Sequence, residues 1–229
     1  MLYRSNIYQV PIQKHKSATN PAGPVKVVNS VYPELISTSP EIDSQPVIVS
    51  YCDYGTEWDY YDFLEFCKTN NLDGCIPAYT GFHPHMLGTD HYAYIKTTPN
   101  SYKALQIREK APFTDNKMAE WASNGTYYFK SGKIMNTYFQ KLIESGDMIN
   151  WEYYVSMVYN AMIADGLNIM VFPIKKMLQW GTPYDLEIYK SWSAYFSKKQ
   201  IPISPLPAIL PNSDTRLEDI ITKIGRAHV

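Results

Sequence analysis

Residues 47–66, VIVSYCDYGTEWDYYDFLEF, place a short apolar run just before an aspartate and then add acids and aromatic side chains. The run predicts a buried strand, of the kind that is covered on both faces in a parallel sheet. Four side chains then recur at the i, i+3, i+4 and i+7 spacing of a helix face: Tyr60, Phe63, Leu64 and Cys67. This spacing predicts a helix from about Glu57 to Thr69.

Asp53 follows the predicted strand at the point where the chain must turn. Open α/β sheets bind their ligands beyond the carboxyl ends of the strands, and Asp53 at that end of a central strand is a candidate metal ligand. Aspartate is also favoured in turns and at helix starts. The local pattern therefore leaves open whether Asp53 is a cap or turn residue or holds a metal ion.

The same strand and helix patterns continue along the chain. Further strands are predicted at 6–13, 74–80, 91–97, 104–110, 125–130 and 168–174. Helices are predicted at 24–38, 133–146, 151–166 and 182–196, with Pro33 expected to kink or shorten the first of them. Alternating strands and helices followed by a cluster of strands predict an α/β fold, with a Rossmann-like mixed sheet and helices on both faces.

Composition narrows the classes of function. The chain has 229 residues, enough for one sizeable core, and its 21 basic side chains balance 22 acidic ones. This balance disfavours nucleic acid or a membrane surface as a partner. With no apolar run of membrane-spanning length and no secretory signal pattern, we expect a cytoplasmic protein. Its three cysteines, an odd number without a CxxC pair, are expected to be reduced thiols.

Several segments, taken together, resemble the sugar-phosphate nucleotidyltransferase family. These segments are AGPVKVVNSV (22–31), VIVSYCDYG (47–55), IREKAPF (107–113), ASNGTYYFKSG (122–132), NWEYYVSMVYNAMIADG (150–166) and MLQWGTPYDLEIY (177–189). Their order and spacing agree with the family over roughly residues 7–196, although no single segment would suffice. Members of this family join a nucleoside triphosphate to a sugar 1-phosphate and release pyrophosphate, so the resemblance implies these two substrates.

The resemblance implies catalytic roles for Asp53 and Lys110. Asp53 would hold Mg²⁺, a hard cation that favours carboxylate and phosphate oxygens. Lys110 would pair with the sugar phosphate as a point charge. Such reactions depend on positioning and electrostatics more than on a covalent catalyst.

The other implied site residues bind the substrate. Glu109 would accept hydrogen bonds from sugar hydroxyls, Gly125 would let the backbone approach the sugar, and Glu152 would contact the sugar from the helix side. The remaining substrate contacts are expected from Gly23, Gly181 and Thr182. Simpler roles stay open at this point: a solvated strand end for Glu109 and Lys110, a strand bulge for Gly125, and a turn for 180–182.

Three histidines, His83, His85 and His91, lie close together in the sequence. They lack a fourth ligand at a convincing spacing, so we expect them in loops and in the core rather than around a metal ion.

The chain also departs from the family. It has no GxGxR loop to cradle a triphosphate and begins at what resembles the third strand, so we expect a fragment, truncated at its N-terminus and inactive by itself. Gln179 stands near the position where many members have a second metal-binding aspartate. We expect an incomplete nucleotidyltransferase domain over 1–196 and an irregular tail over 197–229, whose closing IGRAHV resembles a translated sequencing adapter; a short disordered tail is the alternative.

The leading hypothesis is therefore a nucleotidyltransferase of capsular or cell-surface polysaccharide biosynthesis. One alternative is a non-catalytic module that binds a sugar phosphate or a nucleotide sugar, and another is a GT-A-like glycosyltransferase. The last explains neither WGTPYDL nor the lack of an Asp-x-Asp motif. An exposed sheet edge would also favour pairing into a homo-oligomer.

Overall fold

The computed structural model describes residues 23–88 and 90–197, so the predicted strand at 6–13 and the tail from residue 198 lie outside the described residues. The helices in these ranges are α1 (Pro24–Thr38), α2 (Tyr60–Thr69), α3 (Gly132–Ser145), α4 (Val155–Ala164) and α5 (Pro183–Ser197). The strands are β1 (Val47–Ser50), β2 (Tyr54–Glu57), β3 (Gly74–Tyr79), β4 (Ala93–Thr97), β5 (Ala104–Glu109), β6 (Trp121–Ser123), β7 (Thr126–Phe129), β8 (Ile169–Pro173) and β9 (Lys176–Gln179). The chain divides into two compact units between Leu178 and Gln179.

The main sheet is mixed and mostly antiparallel. Its order is β1-β7-β3-β6-β4-β5, and β8 pairs with β3. The β3–β8 pair is parallel, whereas β1–β7, β3–β6, β3–β7, β4–β5 and β4–β6 are antiparallel. β2 and β9 form a separate two-stranded sheet.

Helices cover both faces of this sheet. Every residue of β3 is buried, because its two faces pack against different helices. Ile76 and Ala78 belong to a core cluster with α1, α3 and α4, while Cys75 packs in another cluster with Phe63 and Cys67 of α2. The predicted α/β class, a mixed sheet with helices on both faces, is confirmed.

Local capping explains where the helices begin and end. The Asp59 carboxylate accepts hydrogen bonds from the backbone N–H groups of Tyr61 (2.8 Å) and Asp62 (3.1 Å), so α2 starts three residues after the predicted Glu57. At the end of α3, Gly146 adopts the left-handed conformation (φ 74°) that closes many helices.

The interpretation of β1 as a fully buried strand beside a parallel neighbour is wrong for the described part of the sheet. Among residues 23–88 and 90–197, β1 pairs only with β7, antiparallel to it, and its apolar side chains are only partly buried. An apolar run shows that a strand can be covered, but it carries no information on the direction of the neighbouring strand.

Two helix boundaries also differ from prediction. Pro33 does not shorten α1, which continues to Thr38 with the proline exposed on its outer face. α4 begins at Val155 rather than at Trp151, because residues 149–152 form a tight turn instead. Within the described parts of the chain, no helix has both the length and the apolar character needed to cross a membrane.

Candidate functional site

Glu109 lies at the end of β5, where α4 packs against the strand. Asn160 of α4 bonds to both backbone groups of Ile107: its Oδ1 accepts from the N–H (2.8 Å) and its Nδ2 donates to the C=O (2.9 Å). Ser156 lies one turn before Asn160, on the same face of α4, and Glu109 lies two residues after Ile107, on the same face of β5. The contact between Asn160 and Ile107 therefore also brings Ser156 next to Glu109. The Ser156 hydroxyl donates to Glu109 Oε2 at 2.5 Å.

Glu109 is a buried carboxyl, with 9% of its surface exposed. Burial raises its pKa; the Ser156 hydrogen bond and the Lys110 charge oppose this effect, and the Glu152 charge adds to it. A perturbed carboxyl that faces other charged groups marks a candidate functional site.

Lys110 is held through both its backbone and its side chain. Its φ of 56° is in the left-handed region, which is uncommon for a residue other than glycine, and its N–H donates to the Tyr92 carbonyl at 2.8 Å. The ammonium Nζ donates to the Tyr154 hydroxyl at 2.5 Å and lies 4.3 Å from the centre of the Tyr154 ring. The side chain is therefore fixed beside the start of α4.

Glu152 reaches the same place from the turn before α4. The turn is closed by reciprocal backbone hydrogen bonds between Ile149 and Glu152, with Asn150 and Trp151 at positive φ (52° and 66°). The Tyr154 hydroxyl donates to Glu152 Oε2. We call Glu109, Lys110, Glu152 and Tyr154 the lysine cluster.

Gly23 packs behind this cluster, at the start of α1. Its φ is 84°, and a Cβ there would come within 2.6 Å of the Tyr153 backbone nitrogen and 3.0 Å of Glu152 Cβ. The Val25 N–H also donates to the Tyr153 carbonyl at 3.2 Å. Gly23 therefore supports the backbone that presents Glu152.

Gly125, between β6 and β7, adjoins a tyrosine ring. Its φ is 90°, and a Cβ would come within 2.7 Å of Tyr51 Cδ2. The antiparallel register of β1 and β7 sets this approach, since Ser50 pairs with Thr126 and the Tyr51 N–H donates to the Gly125 carbonyl (3.2 Å). In this structure, the ring of Tyr51 is thus the group that leaves no room for a Cβ at residue 125.

Tyr51 connects the lysine cluster with Asp53. Burial raises the pKa of its phenol, and so do the nearby groups Glu109, Tyr154, Glu152 and Asp53, in that order. The phenol therefore lies within electrostatic range of three carboxylates that come from three different segments. Asp53, the proposed metal ligand, contributes the smallest of these effects.

Asp53 itself is exposed, and its side chain makes no hydrogen bond or ion pair within residues 23–88 and 90–197. The same ranges contain no group of three or more His, Cys, Asp or Glu side chains that could hold a metal ion. One free carboxylate still fits Mg²⁺, which commonly binds through one or two carboxylates together with substrate phosphates and waters.

Gly181 and Thr182 belong to the second unit. The Thr182 hydroxyl donates to Asp185 Oδ2 (2.7 Å) and accepts from the Asp185 N–H (3.1 Å), which caps the start of α5. Gln179 Nε2 donates to the same carboxylate at 3.5 Å. A substrate role for Gly181 and Thr182 stays a prediction.

The histidines lie in an aromatic cluster. His83 is buried, and its Nε2 accepts from the Met177 N–H at 3.3 Å, so the predicted core role is confirmed for it. His85 Nε2 is 2.8 Å from the Tyr79 hydroxyl, and burial, with smaller contributions from His83 and Lys117, lowers the pKa of His85 to about 3. Burial also lowers the pKa of His83.

Sequence reasoning missed Tyr154 and Ser156. Both lie in the segment that suggested Glu152, and their spacing from Asn160 at the start of a helix was a signal that α4 turns this face towards β5. Tyr154 is 44 residues from its partner Lys110, and Ser156 is 47 residues from its partner Glu109. Local sequence patterns do not report pairs so far apart.

No protein-family model matches the chain, and no curated protein matches it either. Solved structures do have this fold. A nucleoside-diphosphate-sugar pyrophosphorylase from Vibrio cholerae RC9 aligns with a TM-score of 0.59 and 22% identity, covering 75% of this chain and 66% of that one. A protein from Bacillus anthracis, assigned as a glucose-1-phosphate thymidylyltransferase and bound to sucrose, aligns with a TM-score of 0.54 and 12% identity. That alignment covers 81% of this chain and 65% of the Bacillus anthracis chain.

The chain thus spans just under two thirds of the length of either structure. At these identities the likeness shows the fold: a nucleotide-diphospho-sugar transferase type of α/β sheet.

Proposed function

We propose that this chain is a nucleotidyltransferase that joins a nucleoside triphosphate and a sugar 1-phosphate into a nucleotide sugar, with release of pyrophosphate. The single observation that supports this most is the lysine cluster. It holds one ammonium and two carboxylates together on a fold shared with a nucleoside-diphosphate-sugar pyrophosphorylase.

The chemistry of the cluster suits a sugar phosphate. The ammonium of Lys110 would bind the phosphate, because it makes no ion pair within 4.0 Å to a carboxylate among residues 23–88 and 90–197. Glu109 and Glu152 would accept hydrogen bonds from sugar hydroxyls. Gly125 would allow a close approach to the backbone once the Tyr51 ring moves aside.

Asp53 would hold Mg²⁺, which when bound neutralises charge on the triphosphate. Its exposure leaves the carboxylate open to a hydrated cation. Carboxylates of the lysine cluster and of Asp53 both act on the pKa of Tyr51, so we infer that the two substrates would meet near this ring. Gly23 would complete the substrate contacts of the first unit, and a substrate role for Gly181 and Thr182 of the second unit stays a prediction.

The 229-residue chain by itself would bind the sugar 1-phosphate without turnover. No two of its glycines are separated by a single residue, so it has no GxGxR segment for the triphosphate. We further propose that it acts in the cytoplasm, in the biosynthesis of capsular or cell-surface polysaccharide precursors, and that it pairs through an exposed sheet edge.

A second candidate is a non-catalytic module that senses a sugar phosphate or a nucleotide sugar. The lysine cluster also fits this candidate, since it holds an ammonium and two carboxylates without any group for a triphosphate. The two candidates differ in whether a magnesium–nucleotide complex interacts with the sugar phosphate at Asp53.

Isothermal titration of the whole chain with a panel of sugar 1-phosphates tests the proposal. At least one should bind, the matching free sugar should bind far more weakly, and Lys110→Met should weaken the sugar phosphate about tenfold or more. Lys96→Met, at an exposed position on β4, is the matched control and should bind like the native chain. If no sugar 1-phosphate binds, or if both variants bind alike, the proposal is wrong.

The same titration with Mg²⁺ and each nucleoside triphosphate separates the two candidates. The transferase predicts that the correct magnesium–nucleotide changes the affinity for the sugar phosphate and that Asp53→Asn removes this coupling. The module predicts no coupling. Pyrophosphate release, measured on the same samples, would show that the chain turns over without the glycine loop.

A further inference from the structure

We propose that Tyr154 is a positioning residue, which holds the ammonium of Lys110 ready for a phosphate and keeps it from pairing with Glu152. This inference rests on the proposed function, because it concerns how the lysine cluster receives the sugar phosphate. The observation behind it is the chain of hydrogen bonds from Lys110 through Tyr154 to Glu152.

A phenol at this place does what neither neighbour can do. An ammonium only donates and a carboxylate only accepts, whereas a tyrosine hydroxyl can do both. Without the hydroxyl, Lys110 and Glu152 could meet directly as an ion pair. Glu152 would then compete with the phosphate for the same ammonium.

The observed arrangement agrees with that role. Lys110 is close enough to Glu109 for its charge to lower that carboxyl's pKa, yet it makes no ion pair within 4.0 Å in the described ranges. One of the three ammonium N–H groups is directed at Tyr154, which leaves two for oxygens of a ligand.

The backbone fixes both partners of the hydrogen bond. Lys110 is held in a strained left-handed conformation by its bond to the Tyr92 carbonyl. Tyr154 directly precedes α4, between the buried residues Tyr153 and Val155. Because the backbones of Lys110 and Tyr154 are both fixed, the hydrogen bond to the Tyr154 hydroxyl sets where the ammonium lies.

Tyr154→Phe tests this role, because it keeps the ring and removes the hydroxyl. In NMR spectra of the native chain, the Lys110 ammonium should give a protected ¹H–¹⁵N signal, which Lys110→Met assigns by its loss. Tyr154→Phe should shift this signal, because the ammonium would then pair with the Glu152 carboxylate instead of the phenol. Tyr153→Phe is the matched control and should leave it in place.

Binding gives the second readout. Tyr154→Phe should weaken the sugar 1-phosphate about tenfold and leave the weak affinity for the free sugar unchanged. In a double-mutant cycle, Tyr154→Phe should cost nothing further in a Lys110→Met background, because it acts through Lys110. Should Tyr154→Phe not fold, Glu152→Gln replaces it and should shift the same ammonium signal.

An unchanged ammonium signal in Tyr154→Phe would overturn the inference, and so would losses of affinity that add in the double variant. The two proposals can fail separately. If the native chain binds no sugar 1-phosphate, the proposed function fails, while the ammonium signal still decides whether Tyr154 positions Lys110.

Discussion

The lysine cluster and Asp53 differ in how the protein holds them. Glu109 is buried and bonded to Ser156, and Lys110 is bonded to Tyr154 before any ligand arrives. Asp53 is exposed, and its side chain bonds to nothing within the described residues. The protein itself thus orders the lysine cluster, the proposed sugar-phosphate site, whereas Asp53, the proposed metal ligand, would have to be ordered by the substrate and the cation.

This difference follows from the elements that build each region. The lysine cluster is formed where β5 and α4 pack together, so its side chains are fixed by a core contact. Asp53 follows β1, which stands at one end of the sheet order among the described residues. Preorganised groups lose less freedom on binding than exposed ones, so we expect the cluster to dominate the affinity.

The largest effect is expected at Gly125, which adjoins the ring of Tyr51. Gly125→Ala should lower the free energy of unfolding by about 2–4 kcal/mol, because the new Cβ meets the Tyr51 ring and the backbone has positive φ. Urea unfolding measures this loss. Gly81→Ala, with φ 81° and no atom within 4 Å of its Cβ, has only the backbone strain and should lose about 1 kcal/mol. Equal losses would show that the Tyr51 contact is unimportant.

The next prediction concerns the affinity for the sugar 1-phosphate without metal, which should depend on Lys110 but not on Asp53. With the metal chelated, Lys110→Met should weaken binding of the sugar 1-phosphate by about 1.5–3 kcal/mol, because a charged hydrogen bond is lost. Asp53→Asn should bind within about twofold of the native chain under the same conditions. Calorimetry in a chelating buffer checks both. A loss of metal-free binding in Asp53→Asn would place the phosphate at the wrong end of the site.

A smaller effect concerns the pH dependence of stability. The folded-state pKa of Glu109 is raised, so its stabilising contribution is present below the unfolded pKa and is lost as the pH rises through the folded pKa. Glu109→Gln should therefore be more stable than the native chain at pH 7 and equally stable near pH 4. The expected result is thus a gain in stability at pH 7 that disappears near pH 4, because the ionised carboxyl is the form that burial disfavours.

Chemical unfolding at the two pH values measures this gain, with Glu144→Gln at an exposed position of α3 as the control. If the native chain is instead more stable than Glu109→Gln at pH 7, the prediction is wrong. The Ser156 hydrogen bond and the Lys110 charge would then fully offset the cost of burying the carboxylate.

The smallest effect is expected for stability at Asp53. Asp53→Asn should change the free energy of unfolding by less than about 0.5 kcal/mol, because an exposed, unbonded side chain contributes little to the fold. Thermal unfolding without metal checks this. A large loss would indicate a structural role, such as the turn role that the sequence left open.

The sequence predicted those parts of the fold that depend on local patterns. The 3.6-residue period and terminal glycines located α2, α3 and α4, and apolar runs located β3 and β8. The three- and four-residue strands β2, β6 and β9 were missed, because segments so short and partly polar have no distinct period. The direction of β1 was predicted wrongly, since its antiparallel partner β7 lies more than seventy residues further along the chain, as the pairing of Ser50 with Thr126 shows.

The candidate site divides in the same way. Resemblance to family motifs suggested Glu109, Lys110, Gly125 and Glu152 as site residues. The structure joins Lys110 and Glu152 through Tyr154, places Lys110 within electrostatic range of Glu109, and sets Gly125 against the Tyr51 ring. The resemblance could not reveal Tyr154, because the bond from its hydroxyl to Lys110 exists only once α4 packs against β5. Sequence motifs can thus suggest charged site residues, whereas the neutral side chains that bond to them, such as Tyr154, become apparent only from the tertiary structure.

The most direct test is an amide ¹H–¹⁵N titration of the whole chain with the panel of sugar 1-phosphates. We predict that one of them shifts the signals of Lys110 and Gly125 more than those of any other described segment, with and without Mg²⁺. Shifts centred elsewhere, for example around His83 and His85, or no shift with any member of the panel, would contradict binding at the lysine cluster.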